Sequence, residues 1–219
     1  MACCAHCRAA DTQFDARRAE RDLRQYKRRG VDAVTKLMLS ELQRRPMPGC
    51  GLLDVGAGIG VISSEMAATG IVKATIVEAS PAYLDVARRV VRSRYRDGFT
   101  QFVLGDFAVV AASLPDADAV TLGRVVCCYP DAETLLQLAA ARTRRILALT
   151  YPRYRWYVRA GNMLQNLWRR FRGSAFRTFV HLPKRMEEVL KAGGLVRVAQ
   201  KGTLLWMLEV YERPQPSRE

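Results

Sequence analysis

Three glycines at alternate positions, Gly56, Gly58 and Gly60, follow the short apolar run Leu52-Leu53-Asp54-Val55. The run reads as a buried strand, the glycines as a turn, and residues 62–69 as a helix closed by Gly70. Strand, glycine turn and helix open a nucleotide-binding βαβ unit. Glycine lets the backbone take positive φ and lets a ligand come close to the main chain. The start of the helix presents unpaired N–H groups to that ligand. The spacing argues against a dinucleotide, whose G-x-G-x-x-G pattern needs a third glycine where this chain has Val61. A side chain there hinders the approach of a diphosphate. Asp54 puts a carboxylate under the loop, which suits a ligand with a positive or amine-bearing end.

The elements that follow would position further chemistry. Lys73–Val77 reads as the second strand, and Glu78 stands at its end. An acid about 20 residues past such a turn binds ribose hydroxyls, since its two oxygens can accept from a diol. Ser80-Pro81 starts the next helix. Phe102–Leu104 is the third strand, leading into Gly105-Asp106-Phe107. Ala117–Leu122 is the fourth, and it leads into the segment Gly123 to Asp131, which contains Arg124, Cys127, Cys128 and Tyr129. In doubly wound sheets ligands sit at this switch in strand order. Arg145–Leu149 is the fifth strand. Leu195–Gln200 and Leu204–Tyr211 form a hairpin across Gly202-Thr203.

On these residues the chain resembles the class I S-adenosylmethionine-dependent methyltransferases, well over residues 50–150 and more loosely beyond. The resemblance implies an α/β fold, a doubly wound and mostly parallel seven-stranded sheet with an antiparallel last strand. It implies S-adenosylmethionine as cofactor, with Asp54, Gly56, Gly58, Gly60, Glu78, Ala79, Asp106, Phe107 and Arg124 as its contacts. Asp106 would accept from the adenine amino group, and the backbone of Phe107 would touch the ring. A weaker likeness runs to the magnesium-protoporphyrin O-methyltransferases and their relatives. It is carried by the N-terminal arm, Tyr129-Pro130 and the hairpin after Gly193-Gly194. Where that family has a histidine before its aromatic-Pro pair, this chain has Cys128. Where it has a tyrosine before the arm's Phe-Asn, Gln13 precedes Phe14-Asp15.

The chain has 219 residues and a formal net charge of +14. That length suits one domain over residues 46–219, preceded by a cysteine-containing tail and helical arm over 1–45. The charge favours an acidic partner: nucleic acid, an anionic membrane surface or a small acidic substrate. A generally arginine-rich surface is the plainer reading. No apolar run approaches the roughly 20 residues of a membrane span, and the first residues hold no apolar signal region. A cytoplasmic protein with reduced thiols is expected. Cys3, Cys4, His6 and Cys7 have zinc-like chemistry, but the usual second ligand pair is missing, and no metal is assigned.

Residues 11–29 read as a charged helix with Phe14, Ala19, Leu23 and Tyr26 as its apolar stripe. Such arms lie across the cofactor mouth in the family, which makes Tyr26 a candidate contact or base. Residues 151–186 carry nine Arg and Lys residues and no Asp or Glu. As a helix they place Tyr157, Ala160, Leu164, Trp168 and Phe171 on one face. Arg155, Arg159, Asn162, Asn166 and Arg170 fall on another. This amphipathic segment reads as a cap inserted at about 151–180, with Tyr129, Arg155 and Arg159 toward the substrate. The alternatives are a packed helix with a solvated basic face and a helix docked peripherally on an anionic membrane. His181, just before the last helix, is the candidate catalytic base. The expected reaction is methyl transfer to a small acidic or aromatic molecule. RNA methylation and a non-catalytic cofactor-binding role are the alternatives.

Overall fold

The apolar runs become the strands of one sheet because their side chains alternate between two buried faces. In the computed structural model, which describes residues 13–92, 94–95 and 98–214, the sheet is seven-stranded. Its strands are β1 (Gly51–Val55), β2 (Lys73–Glu78), β3 (Thr100–Leu104), β4 (Ala117–Leu122), β5 (Thr143–Pro152), β6 (Val196–Gly202) and β7 (Trp206–Glu212). Their spatial order is β3-β2-β1-β4-β5-β7-β6. The first five are parallel, and β7 is antiparallel to β5 and to β6. The fifth strand runs past the expected Leu149 because β7 pairs it as far as Pro152, opposite Trp206.

Helices α1 (Ala16–Arg29) and α2 (Ala33–Gln43) precede the sheet. Within it come α3 (Val61–Met66), α4 (Pro81–Val91), α5 (Phe107–Val110), α6 (Ala132–Ala141), α7 (Trp156–Phe171) and α8 (Pro183–Ala192). Leu53, Val120 and Leu147 point to one face, where Leu135, Leu136 and Leu190 of α6 and α8 cover them. Leu52, Ala119 and Ile146 point to the other, against Met38 and Leu42 of α2 and Leu84 of α4. Helix α2 thus shares its core with the sheet, although it falls in the segment read as arm. Helix α1 packs Ala19 and Leu23 on Tyr83 and Val86 of α4. Asp15, Asp32 and Ser80 cap α1, α2 and α4 by accepting backbone N–H bonds, so the arm's two turns are specified locally.

One buried acid ties the centre together. Asp54 is fully buried at the middle of the sheet. Its Oδ2 accepts from the Ser63 hydroxyl at 2.8 Å and the Ser63 N–H at 3.3 Å, both on α3. Its Oδ1 accepts from the Thr121 hydroxyl of β4 at 2.8 Å. These bonds fix α3 and β4 against β1, directly under the glycine turn. Burial pushes the Asp54 pKa up to about 6 against the hydroxyl and N–H bonds that would lower it. The folded state therefore holds a proton that the unfolded chain has lost, and stability falls as pH rises from about 4 through 6. The loss is on the order of 3 kcal/mol. The expected outcome is that Asp54→Asn, which cannot ionise, lacks this slope in urea titrations across that pH range.

Candidate functional site

The reversal of strand order between β1 and β4 opens a cleft at the carboxyl ends of the strands. There a cavity of about 420 Å³ is lined by the turns that leave β1, β2, β3 and β4. That size is typical of a small-molecule site. The turn after β1 needs its glycines for two reasons. Gly56 has φ of 59°, and a Cβ there would stand 2.4 Å from Val125 Cγ2. Gly60 has φ of 76° and would meet Val91 Cγ2 at 2.7 Å and Ala87 Cβ at 3.1 Å. The first lets the switch segment close on the turn, and the second lets α4 close on it.

Glu78 organises the ligand end. Its Oε2 accepts from Gly58 N–H at 2.8 Å and its Oε1 from Ser80 N–H at 2.9 Å. Burial raises its pKa, and those backbone bonds oppose the rise. Each oxygen keeps a further acceptor site, so the carboxylate can still bind a diol. Ala79, Gly105, Asp106 and Phe107 line the same cavity. Asp106 caps α5 through Ala108 N–H, and the Phe107 side chain turns into the core. Arg124 also lines it, in a left-handed conformation with φ of 61°, where non-glycine residues are uncommon. Its N–H donates to the Thr150 hydroxyl at 2.8 Å, and its guanidinium pairs with Asp32 at 3.1 Å.

Arm and cap roof the cavity. Phe14 makes edge-to-face contacts with Tyr83 and Phe176, at 5.6 and 5.5 Å between centroids. Ser80 Oγ donates to the Phe14 carbonyl at 2.7 Å. On the cap side, Asn162 and Asn166 of α7 both donate to the Thr178 carbonyl, at 2.8 and 2.7 Å. Arg169 donates to the Thr178 hydroxyl at 2.9 Å and stacks over Phe176 at 5.2 Å. Phe179 N–H donates to the Cys127 carbonyl at 2.8 Å, which joins the cap's return segment to the switch. Arg169 is buried, lines the cavity, and has no carboxylate partner among the described ion pairs. Burial lowers its pKa. Tyr129 also lines the cavity, and its buried hydroxyl has no hydrogen-bond partner among the described residues.

Six of the expected site residues lie outside this lining. Asp54 is sealed beneath the turn by Ser63 and Thr121, and Gly60 serves helix packing. Tyr26, a candidate base, donates instead to Glu65 of α3. Arg155 and Arg159 are exposed, and Arg159 stacks on Tyr154 at 4.9 Å. His181, the other candidate base, is also outside the lining. Its Nε2 sits 2.9 Å from the Tyr129 carbonyl, so the neutral ring donates there and holds the switch segment. Conversely, Phe14, Arg18, Arg169, Phe176 and Trp206 line the cavity without having been singled out as site residues. The lack of any acid between 151 and 186 was the available signal for an anion site, but it did not say which arginine turns inward. The cysteine–histidine cluster Cys3, Cys4, His6 and Cys7 lies outside the described residues.

Burial lowers the His181 pKa below its ordinary 6.5. The unfolded chain then binds a proton that the folded one refuses, so stability falls as pH drops through 6.5. In His181→Gln, whose amide can still donate to Tyr129, this acid-side loss should vanish from thermal unfolding curves.

The family model described as Methyltransferase small domain matches residues 24–113. No curated protein matches the chain in sequence. Among solved structures, a magnesium protoporphyrin IX methyltransferase from Synechocystis with bound SAH superposes with a TM-score of 0.74 at 17% identity, over 94% of this chain and 98% of that one. A putative methyltransferase from Haloferax volcanii, in complex with the activator Trm112, superposes with a TM-score of 0.69 at 18% identity, over 95% and 99%. A putative RNA methyltransferase from Pyrococcus horikoshii gives 0.60 at 16% identity, over 84% of each chain. At these identities the structures speak to fold. The matched model covers the glycine turn, Glu78 and Asp106, and the seven-stranded, mostly parallel sheet with its antiparallel last strand is the fold of the S-adenosylmethionine-dependent methyltransferases that the resemblance implied.

Proposed function

We propose that the chain methylates a small acidic molecule held by Arg169. The observation that carries this is a buried guanidinium facing the cavity with no carboxylate paired to it among the described residues. A buried, unpaired charge is costly, and an anionic group in the cavity relieves that cost. Arg18, stacked 5.2 Å over Phe14, adds a further cation to the lining. The unpartnered Tyr129 hydroxyl supplies a further donor or acceptor for the same molecule.

The cofactor, when bound, supplies an electrophilic methyl group on a sulfonium. Glu78 would hold the ribose hydroxyls, Asp106 the adenine amino group, and Gly58 would leave room for close backbone approach. The arm and cap exclude water from the cavity and orient the acceptor. Neither His181 nor Tyr26 lines the cavity. An acceptor already ionised at neutral pH, such as a carboxylate, needs no base. The reading therefore favours methylation at an acidic oxygen.

The deciding experiment incubates the protein and labelled S-adenosylmethionine with fractions of an extract of its own organism. Label is expected in a small acidic product. Label in RNA would replace this reading with RNA methylation. With that acceptor in hand, Arg169→Met should lower kcat/KM by roughly tenfold to a hundredfold, since it removes a charge-assisted bond. Its affinity for S-adenosylhomocysteine should stay at the wild-type value. Glu78→Ala should do the reverse at the cofactor end, weakening S-adenosylhomocysteine binding in equilibrium dialysis by about 1–3 kcal/mol.

A further inference from the structure

Helix α7 is amphipathic in the inverted sense. Its polar stripe, Asn162, Asn166 and Arg169, faces inward and bonds Thr178. Its apolar stripe faces out: Trp156 is 79% exposed and Phe171 82%, with Met163, Leu164, Leu167 and Trp168 exposed between them. A soluble helix ordinarily does the opposite. Exposed single apolar residues are common, but a continuous row along four helical turns marks an interaction surface. The row extends sideways. The Tyr157 hydroxyl donates to the Leu204 carbonyl at 3.0 Å, and Leu204 and Leu205 are themselves exposed. Trp206, the next residue, lines the cavity.

The charges around the row decide its occupant. Arg159, Arg170 and Arg172 flank it, with Arg172 stacked 4.3 Å over Trp168. No Asp or Glu occurs from 151 to 186. A second copy packed ridge to ridge would set these arginines against their own counterparts, with no acid in the 151–186 segment to offset them. Single-stranded RNA prefers a cationic groove with stacking platforms, whereas this is a ridge that includes the aliphatic side chains of Met163, Leu164 and Leu167. A convex apolar ridge bordered by arginines complements an anionic bilayer, where apolar side chains enter the headgroup boundary and the cations meet lipid phosphates. No helix among the described residues is long and apolar enough to cross a membrane.

We infer that the outward face of α7, with the Leu204-Leu205 loop, docks the enzyme peripherally on an anionic phospholipid surface. Docking there brings the cavity's Trp206 side next to the lipid boundary. The inference does not depend on methyl transfer, so its test needs no substrate.

The test is flotation of the full chain with vesicles of phosphatidylcholine alone and with phosphatidylglycerol added. The chain should float only with the anionic vesicles, and brominated acyl chains should quench its tryptophan emission. The double variant Leu164→Ser/Phe171→Ser should partition roughly tenfold less or weaker still. Both side chains are exposed, so its thermal unfolding and its S-adenosylhomocysteine binding should match the wild type. The inference is overturned if the wild type stays in the aqueous phase with anionic vesicles, or if the double variant floats as the wild type does. It is equally overturned if the double substitution instead abolishes RNA binding or dissociates a dimer while vesicle partition persists.

Discussion

The Glu78 carboxylate couples two of the strand ends that border the cavity. It stands at the end of β2, yet one of its oxygens holds Gly58 in the turn after β1. The other holds Ser80, whose hydroxyl caps α4 and binds the Phe14 carbonyl of the arm. One side chain thereby sets the glycine turn, the start of a helix and the arm's approach. Asp54 plays the complementary role one layer deeper, locking β1, α3 and β4 through Ser63 and Thr121. Two acids thus divide the work. The deeper one is consumed by the fold, and the shallower one keeps acceptor capacity for a ligand.

The acceptor end is built on a different principle. Arm and cap are tied to the strand ends by hydrogen bonds to the backbone carbonyls of Phe14, Cys127 and Tyr129. This leaves Arg169 inside, held by Thr178 and Phe176 and with no carboxylate ion pair among the described residues. A protein that buries a cation without a counter-charge keeps an electrostatic vacancy that an anionic ligand can fill. The same inward turn of the polar stripe forces the apolar stripe of α7 outward. The inward Arg169 and the exposed ridge are therefore two consequences of one helix orientation.

The glycine turn and the strand runs were legible because they rest on local rules. Apolar runs mark buried strands, and the spacing of Gly56, Gly58 and Gly60 separates this turn from a dinucleotide site. The roles of Asp54 and Gly60 were not legible, since position under a turn does not reveal whether neighbouring hydroxyls or helices claim it. Tyr26 was read as a contact or base from its place on the arm, and His181 as a base from its residue type and its place before the last helix. Their partners, Glu65 and the Tyr129 carbonyl, are distant in sequence. Arg155 and Arg159 were misplaced for a further reason. Periodicity reveals that α7 has two faces, but tertiary bonding from Asn162 and Asn166 to Thr178 decides which faces in.

The central claim is that the cavity at the ends of β1 to β4 is built for S-adenosylmethionine. The most direct measurement is isothermal titration calorimetry of the full chain with S-adenosylmethionine and, separately, with NAD. The account predicts saturable one-to-one binding of S-adenosylmethionine and no heat of binding with NAD. A chain that is folded by circular dichroism yet binds NAD, or binds neither ligand, would contradict it.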